Sequence, residues 1–496
     1  MSVSTHDADD AGSAWSVSTL SGYALLFIPF GIAAALSALP LVSYLVAWAG
    51  SFWILWLTMT GRVRPLPDGA SALDQLLRPI VLTQILFAFY NFLASVFFVA
   101  DLYGFYYLSK ESLMPVHFED VALAAQAQRY YVLAHAGVAV GMLAAMDYRR
   151  SGEWVVRPFG NPALVILVLS GITYLAADAL SVQNQFGARF DQFSLVSSIL
   201  GLTLALSTRR VGLVGVGFVL FSLNLSEAFL SGFKEEVLVM VLLLGVFLYP
   251  HARRAVLIGG PLLLVFLLAV LPAYTNVIRG LSWRGGVEAE AAASQALEEI
   301  RSGGVDLGQA NWAFLTDRIS QIGMFTRYIS RVEQTDEFYG TQILEQAAIG
   351  LVPRALWAGK PNMEELAMAR VYDLGIIETY SKDVSAKSQY VVDGFLSAGG
   401  LGVLLASVLL GLLMSWSSRA SERWFGGYFW GSGLVFTSMF AIFWKGSTFE
   451  FFFSNVLWSF ILLIPLFLIG RATGVLIHRD EVEANEVAPV ENRRSS

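Results

Sequence analysis

Ala255–Thr275 reads AVLIGGPLLLVFLLAVLPAYT, a run without one charged residue, closed by Arg253 and Arg254 before it and by Arg279 shortly after. As helix, at about 1.5 Å per residue, such a run covers roughly 30 Å, the thickness of a bilayer's hydrocarbon core. A chain inside hydrocarbon must satisfy its own peptide groups, and a single continuous apolar run does so as helix. Working outward, comparable runs fall at about 19–37, 41–60, 79–103, 130–147, 162–180, 193–208, 211–230 and 235–250 before it, and at 394–415, 425–444 and 451–470 after it. The reading is an all-α polytopic membrane protein with about twelve transmembrane helices.

Composition agrees. The chain is 56% hydrophobic and only 14% charged, where a soluble protein carries roughly 25% charge. Most of its surface therefore meets something other than water. With no cysteine, disulfides, thiol catalysis, iron–sulfur clusters and cysteine-bound zinc are excluded together. A net charge of −7 argues against a nucleic-acid binder, and five scattered histidines make no metal site.

Lysine and arginine set the orientation, because cytoplasmic loops hold them in excess. Arg62, Arg64 and Arg78 share one short loop; Arg149, Arg150 and Arg157 fall in the next but one; Arg209 with Arg210, Arg253 with Arg254, and Arg419 with Arg423 continue the alternation to Arg471 and Arg479. The intervening loops hold only Lys110, Arg129, Arg189, Lys234 and Lys445. Both termini are thus expected in the cytoplasm: a polar tail over 1–18, nine spans over 19–275, an outer loop over 276–392, three spans over 393–470, and a disordered tail over 471–496. Membrane lipids are its surroundings, and the inner, cytoplasmic membrane of a bacterium is the expected place.

The outer loop is far longer than a structureless connection, which seldom exceeds about 12–15 residues, and it holds Trp312, Phe325, Tyr328, Trp357 and Tyr372 for packing. From Asn311 to Gln334 the residues Trp312, Leu315, Ile319, Ile322, Ile329 and Val332 recur at helical spacing. Arg318 lies within that stripe. A guanidinium on a packing face must find an anion, either a carboxylate of the protein or an anionic substrate. A second helix is expected over Thr341–Leu351 and a third from Pro361 to about Asp373, with a mobile stretch over 376–392. Between the two helices, Pro353-Arg354-Ala355-Leu356-Trp357-Ala358-Gly359-Lys360-Pro361 cannot be continuous helix and presents Arg354 and Lys360 from rigid backbone. At the return to the membrane, Asp393 precedes Gly399 and Gly402, six and nine residues on, a spacing that lets another helix approach closely. Asp393 itself reads equally as a helix N-cap or as a functional carboxylate at the boundary.

Lys234, in a tight outer turn, and Arg279 with Arg284, after the span ending near Tyr274, face the same side. Each alone reads as an interfacial anchor. With Arg318, Arg354 and Lys360 they form a cationic outer surface of the kind a lipid-linked diphosphate requires.

These blocks resemble the O-antigen polymerases of the Wzy type, the oligosaccharide repeat-unit polymerases. The resemblance rests on Gly232 with Lys234 before an apolar span, on Pro353, Arg354, Trp357, Lys360 and Pro361, and on Asp393 with Gly399 and Gly402. It covers about 230–402. The family often has Glu at the place of Asp393 and Arg at that of Lys234. The resemblance implies a metal-independent glycosyltransferase of GT-C-like architecture. Such an enzyme moves a growing glycan from polyprenyl diphosphate onto a second lipid-linked repeat unit at the outer face. It would work beside a flippase and a chain-length regulator, and without a cofactor. Arg318, Arg354 and Lys360 would hold diphosphate, supported by Arg279, Arg284 and Lys234. Asp393 would act as base, with Asp317 and Glu345 as alternatives, and Trp357 and Tyr390 would stack on sugars or fill the loop's own core.

Other motifs fail. Asp7-Ala8-Asp9 lies in the acidic tail, no Gly-rich loop ends in Gly-Lys-Ser/Thr, and Gly212–Gly217 lies inside a span. No nucleotide and no obligatory metal are expected. Asp101, Asp178 and Glu227, each inside a span, keep a lipid-linked-oligosaccharide flippase open; a glycan ligase and an assembly protein are further alternatives.

Overall fold

A computed structural model describes residues 17–66, 71–105, 118–148, 152–157, 160–180, 187–231, 234–284, 286–352, 356, 357, 359–376 and 387–482. After a broken helix over Val17–Ala35 come α1 (Pro40–Met59), α2 (Pro79–Leu102), α3 (Phe118–Ala145), α4 (Pro162–Leu180), α5 (Gly187–Ser207), α6 (Val211–Leu230), α7 (Lys234–Leu248) and α8 (Arg253–Arg279). The segment between α8 and the next long apolar helix supplies α9 (Ala289–Arg301), α10 (Leu307–Phe314), α11 (Ile322–Thr335), α12 (Gln342–Leu351) and α13 (Met363–Asp373), and α14 (Tyr390–Trp424) and α15 (Phe449–Ala472) follow.

Seven of the described helices are long and apolar enough to cross a membrane, among them α1, α2, α5, α6, α14 and α15; three shorter apolar helices lie at Ser21–Ala35, Pro162–Ala177 and Glu236–Leu248. The run at 425–444 is not one helix. It is a wide π-type segment over Tyr428–Phe436 and two short pieces, Thr437–Met439 and Ile442–Lys445. Its side chains are buried from Gly431 to Ala441, where irregular backbone is shielded by protein.

The central contact pairs α3 with α14, running parallel. Its closest point is Gly141 against Gly411: a Cβ on Gly411 would stand 2.3 Å from the Val138 carbonyl oxygen. Further along, Ser415 Oγ donates to the Met142 carbonyl at 2.7 Å. Polar side chains tie α1 and α2 to α3. Gln84 Nε2 donates to the Ile80 carbonyl, so Gln84 Oε1 accepts from Thr58 Oγ1 and from His135 Nε2, both at 3.1 Å. That leaves His135 Nδ1 to accept from Ser51 Oγ at 2.6 Å. The network is interhelical glue with a neutral histidine at its centre.

Two large apolar cores result among the described residues, beside a small one of Ala94, Phe314 and Ile319. One joins α1, α2, α3, α11, α14 and α15; the other joins α5, α7, α8 and α9. Helices α9, α11, α12 and α13 contribute to these cores, so they are packed onto the long apolar helices. Phe325 of α11 lies edge-on to Tyr131 of α3 and to Phe395 of α14.

Three further details differ from the sequence reading. The helix expected from Asn311 to Gln334 is divided: a π turn over Leu315–Ile319 follows α10, Ser320 is extended at φ −72° and ψ 116°, and α11 starts at Ile322. Apolar spacing survives this break because Ile319 and Ile322 are both buried, so periodicity could not reveal it. The glycines after Asp393 act within α14. Gly399 has φ +59° and ψ −142°, a region that excludes side chains, and a Cβ on Gly402 would lie 2.0 Å from Gly394 oxygen. Eight residues along a straight helix are about 12 Å apart, so this contact requires the break. The Leu396 carbonyl freed there accepts from Tyr339 N at 2.8 Å, tying the segment between α11 and α12 to α14. Beyond α15, β2 (Leu476–His478) pairs antiparallel with β1 (Trp154–Val156), so the expected disordered tail is ordered at its start; Val475, Leu476 and Ile477 supply the apolar residues for a strand. Residues 1–16, 483–496 and 377–386, the core of the expected mobile stretch, lie outside the described residues.

Candidate functional site

α13 is opened by Asn362, whose side chain accepts from Glu364 N. It buries Ala367, Met368, Arg370 and Val371 on one face. That face puts a guanidinium, 1% exposed, against the start of α14 and of α15. Arg370 meets two carboxylates that are wholly buried, Asp393 and Glu450. Its Nη2 lies 3.2 Å from Asp393 Oδ1 and 3.2 Å from Glu450 Oε2; its Nη1 donates to Glu450 Oε1 and, at 2.7 Å, to Gln346 Oε1 of α12. The pair with Glu450 is thus bidentate, the geometry a planar guanidinium suits.

Asp393 has further donors. Ser388 Oγ reaches Oδ1 at 2.8 Å, and Phe449 N, the first residue of α15, reaches Oδ2 at 2.9 Å. Asp393 therefore caps a helix, as one sequence reading allowed, but the helix is α15 and not its own. The start of α15 favours a negative charge there.

The cluster holds two carboxylates and one guanidinium, a surplus of negative charge in a dry place. Burial works against the charge on Arg370, yet the carboxylates of Asp393 and Glu450 hold its pKa above the ordinary value. Tyr328 is pushed up by burial and further by the charge of Asp393. Two buried donors nearby meet no acceptor: Arg370 Nε and the Tyr328 hydroxyl.

Beside the cluster runs an apolar groove of about 400 Å³. Gly394 and Phe449, the chain neighbours of Asp393 and Glu450, line it, together with Gly340, Thr341 and Leu344. Leu405, Leu409 and Leu413 continue it along α14, and Leu405 and Leu409 are exposed on the surface a membrane would cover.

Of the residues singled out in the sequence, Asp393 and Tyr390 come to this region. Tyr390 is buried between Phe87 and Phe452 and faces the protein's aromatic core. Lys360 was expected on a cationic surface; the structure buries it, its ammonium donating to the carbonyls of Gly350 at 2.9 Å and Val352 at 2.7 Å, at the end of α12. Those carbonyls are left over where a helix stops, which is the physical reason for the difference. Trp357 is 40% exposed, and Arg279 is half-buried at the end of α8. Arg354 lies outside the described residues, as do the side chains of Lys234, Arg284, Asp317, Arg318 and Asp178. Glu345 is exposed and accepts from Thr341 Oγ1 at 2.8 Å. Among the described residues no group of three or more His, Asp or Glu side chains could hold a metal ion.

Sequence reasoning missed Arg370, Glu450 and Gln346. The signal was available: Arg370 shares a helical stripe with Ala367 and Val371, as Arg318 does with its neighbours, and Glu450 opens an apolar span. No curated protein and no solved structure matches the chain significantly. A family model does match it over residues 28–478, and on that extent the chain belongs to the family described as "Domain of unknown function (DUF8712)".

Proposed function

We propose that this protein is a membrane glycosyltransferase that lengthens a glycan on polyprenyl diphosphate, an oligosaccharide repeat-unit polymerase working at the outer face of a bacterial cytoplasmic membrane. In this reading the chain crosses about twelve times, in a GT-C-like arrangement with both termini inside. A flippase and a chain-length regulator would be its pathway partners. The observation that carries the reading is the apolar groove lined by Gly394 and Phe449, the chain neighbours of two buried carboxylates. A polyprenyl chain lying along Leu405 and Leu409 would bring its head toward Gly394 and Phe449, beside Gly340, Thr341 and Leu344.

The chemistry asked of such a site is modest. The donor carries its own leaving group, so the protein must stabilise charge developing on the diphosphate and orient an acceptor hydroxyl whose proton leaves late. Arg370 is already engaged by two carboxylates and adds no free positive charge. Diphosphate contact therefore falls to Arg318, Arg354, Arg284 and Lys234, with Arg279 in support. Asp393 and Glu450 are the carboxylates near the groove, and their engaged oxygens make them positioning groups unless the cluster opens during turnover. The flippase reading draws less support: Asp101 accepts from Trp312 Nε1 and Glu227 from Tyr174 at 2.6 Å, so these intramembrane acids have local partners.

Deletion of the gene, followed by sizing of surface glycan, tests the proposal. Single repeat units in place of long chains support it. Long chains left on their carrier lipid indicate a ligase, and repeat units trapped inside indicate a flippase; either result rejects it. Ala406 also lines the groove; complementation with Ala406→Trp, which fills it, should leave membrane level intact and shorten the chains.

A further inference from the structure

Four arginines gather where α5 to α8 turn back at one end. Arg209 and Arg210 join α5 to α6, and Arg253 and Arg254 open α8. From Gln192 to Ser226, and again from Val237 to Val287, the chain holds no Asp or Glu. All four side chains are exposed, and among the described residues none pairs with a carboxylate. Basic loops are expected on one side of a membrane protein, but others in this chain carry their own acceptors. Arg78 meets Glu422 and Arg423 meets Glu153, while Arg419 and Arg479 donate to the carbonyls of Ala145 and Gly152.

Two apolar cavities adjoin the unpaired cations. One of about 390 Å³ lies between α2, α7 and α8, and one of about 210 Å³ lies between α5, the end of α7 and Tyr428. Leu76 and Val246 line both, so the two form one slot. It stays open because Gly245 of α7 and Gly260 of α8 put no side chain into it; a Cβ on Gly260 would have no atom within 4 Å. Along α7 the larger cavity runs from Leu238 to Tyr249, about 16 Å at 1.5 Å per residue. That is close to half of a hydrocarbon core roughly 30 Å thick, the depth of one leaflet.

The slot meets the basic loops at one end. Tyr249 lines it, and the Arg253 guanidinium lies over the Tyr249 ring, 5.7 Å from its centre. The smaller cavity touches His251, two residues before Arg253, and Leu204, whose carbonyl accepts from Thr208 N at 3.0 Å. It thus sits between the loop of Arg209 and Arg210 and that of Arg253 and Arg254.

We propose that this slot binds an anionic glycerophospholipid, with an acyl chain between α7 and α8 and the phosphate on Arg253 and its neighbouring arginines. Charge decides the occupant: a neutral lipid could fill the apolar part but would leave four cations without a counter-ion, and basic pockets between membrane helices are where anionic head groups settle. The site shares no lining residue with the groove along α14, and it stands whatever reaction that groove serves. A bound chain fills the space that two glycines leave, so the lipid should also stabilise the packing of α7 on α8.

The test places the full chain in nanodiscs of phosphatidylcholine with and without phosphatidylglycerol, and reads retained lipid by native mass spectrometry and unfolding temperature by intrinsic fluorescence. Phosphatidylglycerol should be retained at least tenfold over phosphatidylcholine and should raise the unfolding temperature. Gly260→Leu puts a side chain into the slot and should cut that retention at least tenfold, while unfolding in phosphatidylcholine no lower than wild type, since leucine is the better helix former. Arg253→Gln changes only an exposed side chain and keeps the test open should Gly260→Leu fold poorly. It should weaken retention about fivefold, which is about 1 kcal/mol per cation at a lipid surface converted at about 1.4 kcal/mol per factor of ten. Equal retention of phosphatidylcholine would overturn the anionic assignment, and wild-type retention in Arg253→Gln or in a folded Gly260→Leu would overturn the site. Displacement of phosphatidylglycerol by an equal amount of farnesyl phosphate would give the slot to an isoprenoid and overturn the proposal.

Discussion

Replacing Arg370 by methionine keeps the length of the side chain and removes its charge, which makes it the sharpest perturbation of the ion cluster. The guanidinium gives up its bonds to Glu450, to Asp393 at 3.2 Å and to Gln346 at 2.7 Å. Two carboxylates, neither of them exposed, are left side by side without a cation. Removing one partner of a buried pair costs about 3–5 kcal/mol, and here two anions are stranded, so the upper part of that range applies. At about 1.4 kcal/mol per factor of ten, the folded population relative to unfolded should fall by more than a thousandfold. Glu450→Gln is milder: it leaves Arg370 with Asp393, removes the surplus charge, and costs about the 1–3 kcal/mol of imperfect hydrogen bonding. The double variant should then be far less damaging than the sum, with a coupling of about 2 kcal/mol or more between the two positions. Unfolding by SDS titration in mixed micelles, run on all four proteins, measures this. An Arg370→Met variant within about 1 kcal/mol of wild type, or a cycle without coupling, would refute the view that this cluster fastens α12 and α13 to α14 and α15.

Lys360→Met should destabilise the protein by about 2 kcal/mol through two lost charge-assisted bonds and leave glycan length unchanged at permissive temperature; glycan loss at full stability would return Lys360 to the substrate. Gly411→Leu, whose Cβ meets the Val138 carbonyl at 2.3 Å, should lower stability by about 3 kcal/mol or more in the same titration. Gly215→Ala, with no atom within 4 Å of the new Cβ, should be neutral or gain up to about 1 kcal/mol. A cysteine placed at Gly304, in the exposed turn between α9 and α10, should react with an impermeant thiol reagent from outside the cell, and labelling only after lysis would reverse the orientation.

The membrane helices were legible because length and apolarity report them directly: Ala255–Thr275 needs no partner to be recognised. The positions of α12 and α13 were legible for a related reason, since Gly350, Pro353 and Pro361 punctuate them. The break inside α14 was not. Gly399 and Gly402 were visible, but glycine serves equally in a close helix crossing and in a kink, and only the contact between residues 394 and 402 decides. The ion cluster was half legible. Asp393 drew attention as a charge at the edge of an apolar run, while Arg370 and Glu450 lie 80 residues apart in sequence. Their meeting depends on how α13 settles on α15, which no local pattern encodes. Lys360 shows the opposite failure: a basic residue between prolines looks available for phosphate, yet it serves carbonyls that exist only because α12 ends there.

The cluster also bears on what Asp393 can do. Its oxygens are engaged by Arg370, Ser388 and Phe449 N, so in this state it cannot take a proton from a substrate hydroxyl without breaking one of those bonds. If its task is to hold α15 and Arg370 in place, Asp393→Asn should keep much of the activity, because the amide oxygen still accepts from Ser388 and Arg370, and the loss is confined to about 1–3 kcal/mol of stability where the amide nitrogen faces Phe449 N. Asp393→Glu should do worse, since one more methylene in a place of zero exposure costs about 1–3 kcal/mol of overpacking and displaces the cap from α15. A base in turnover reverses this order: the amide abolishes transfer while the longer acid retains some. Measuring glycan length and SDS stability for both variants separates the two cases. An inactive but stable Asp393→Asn, beside an active Asp393→Glu, would show that the cluster opens during the reaction.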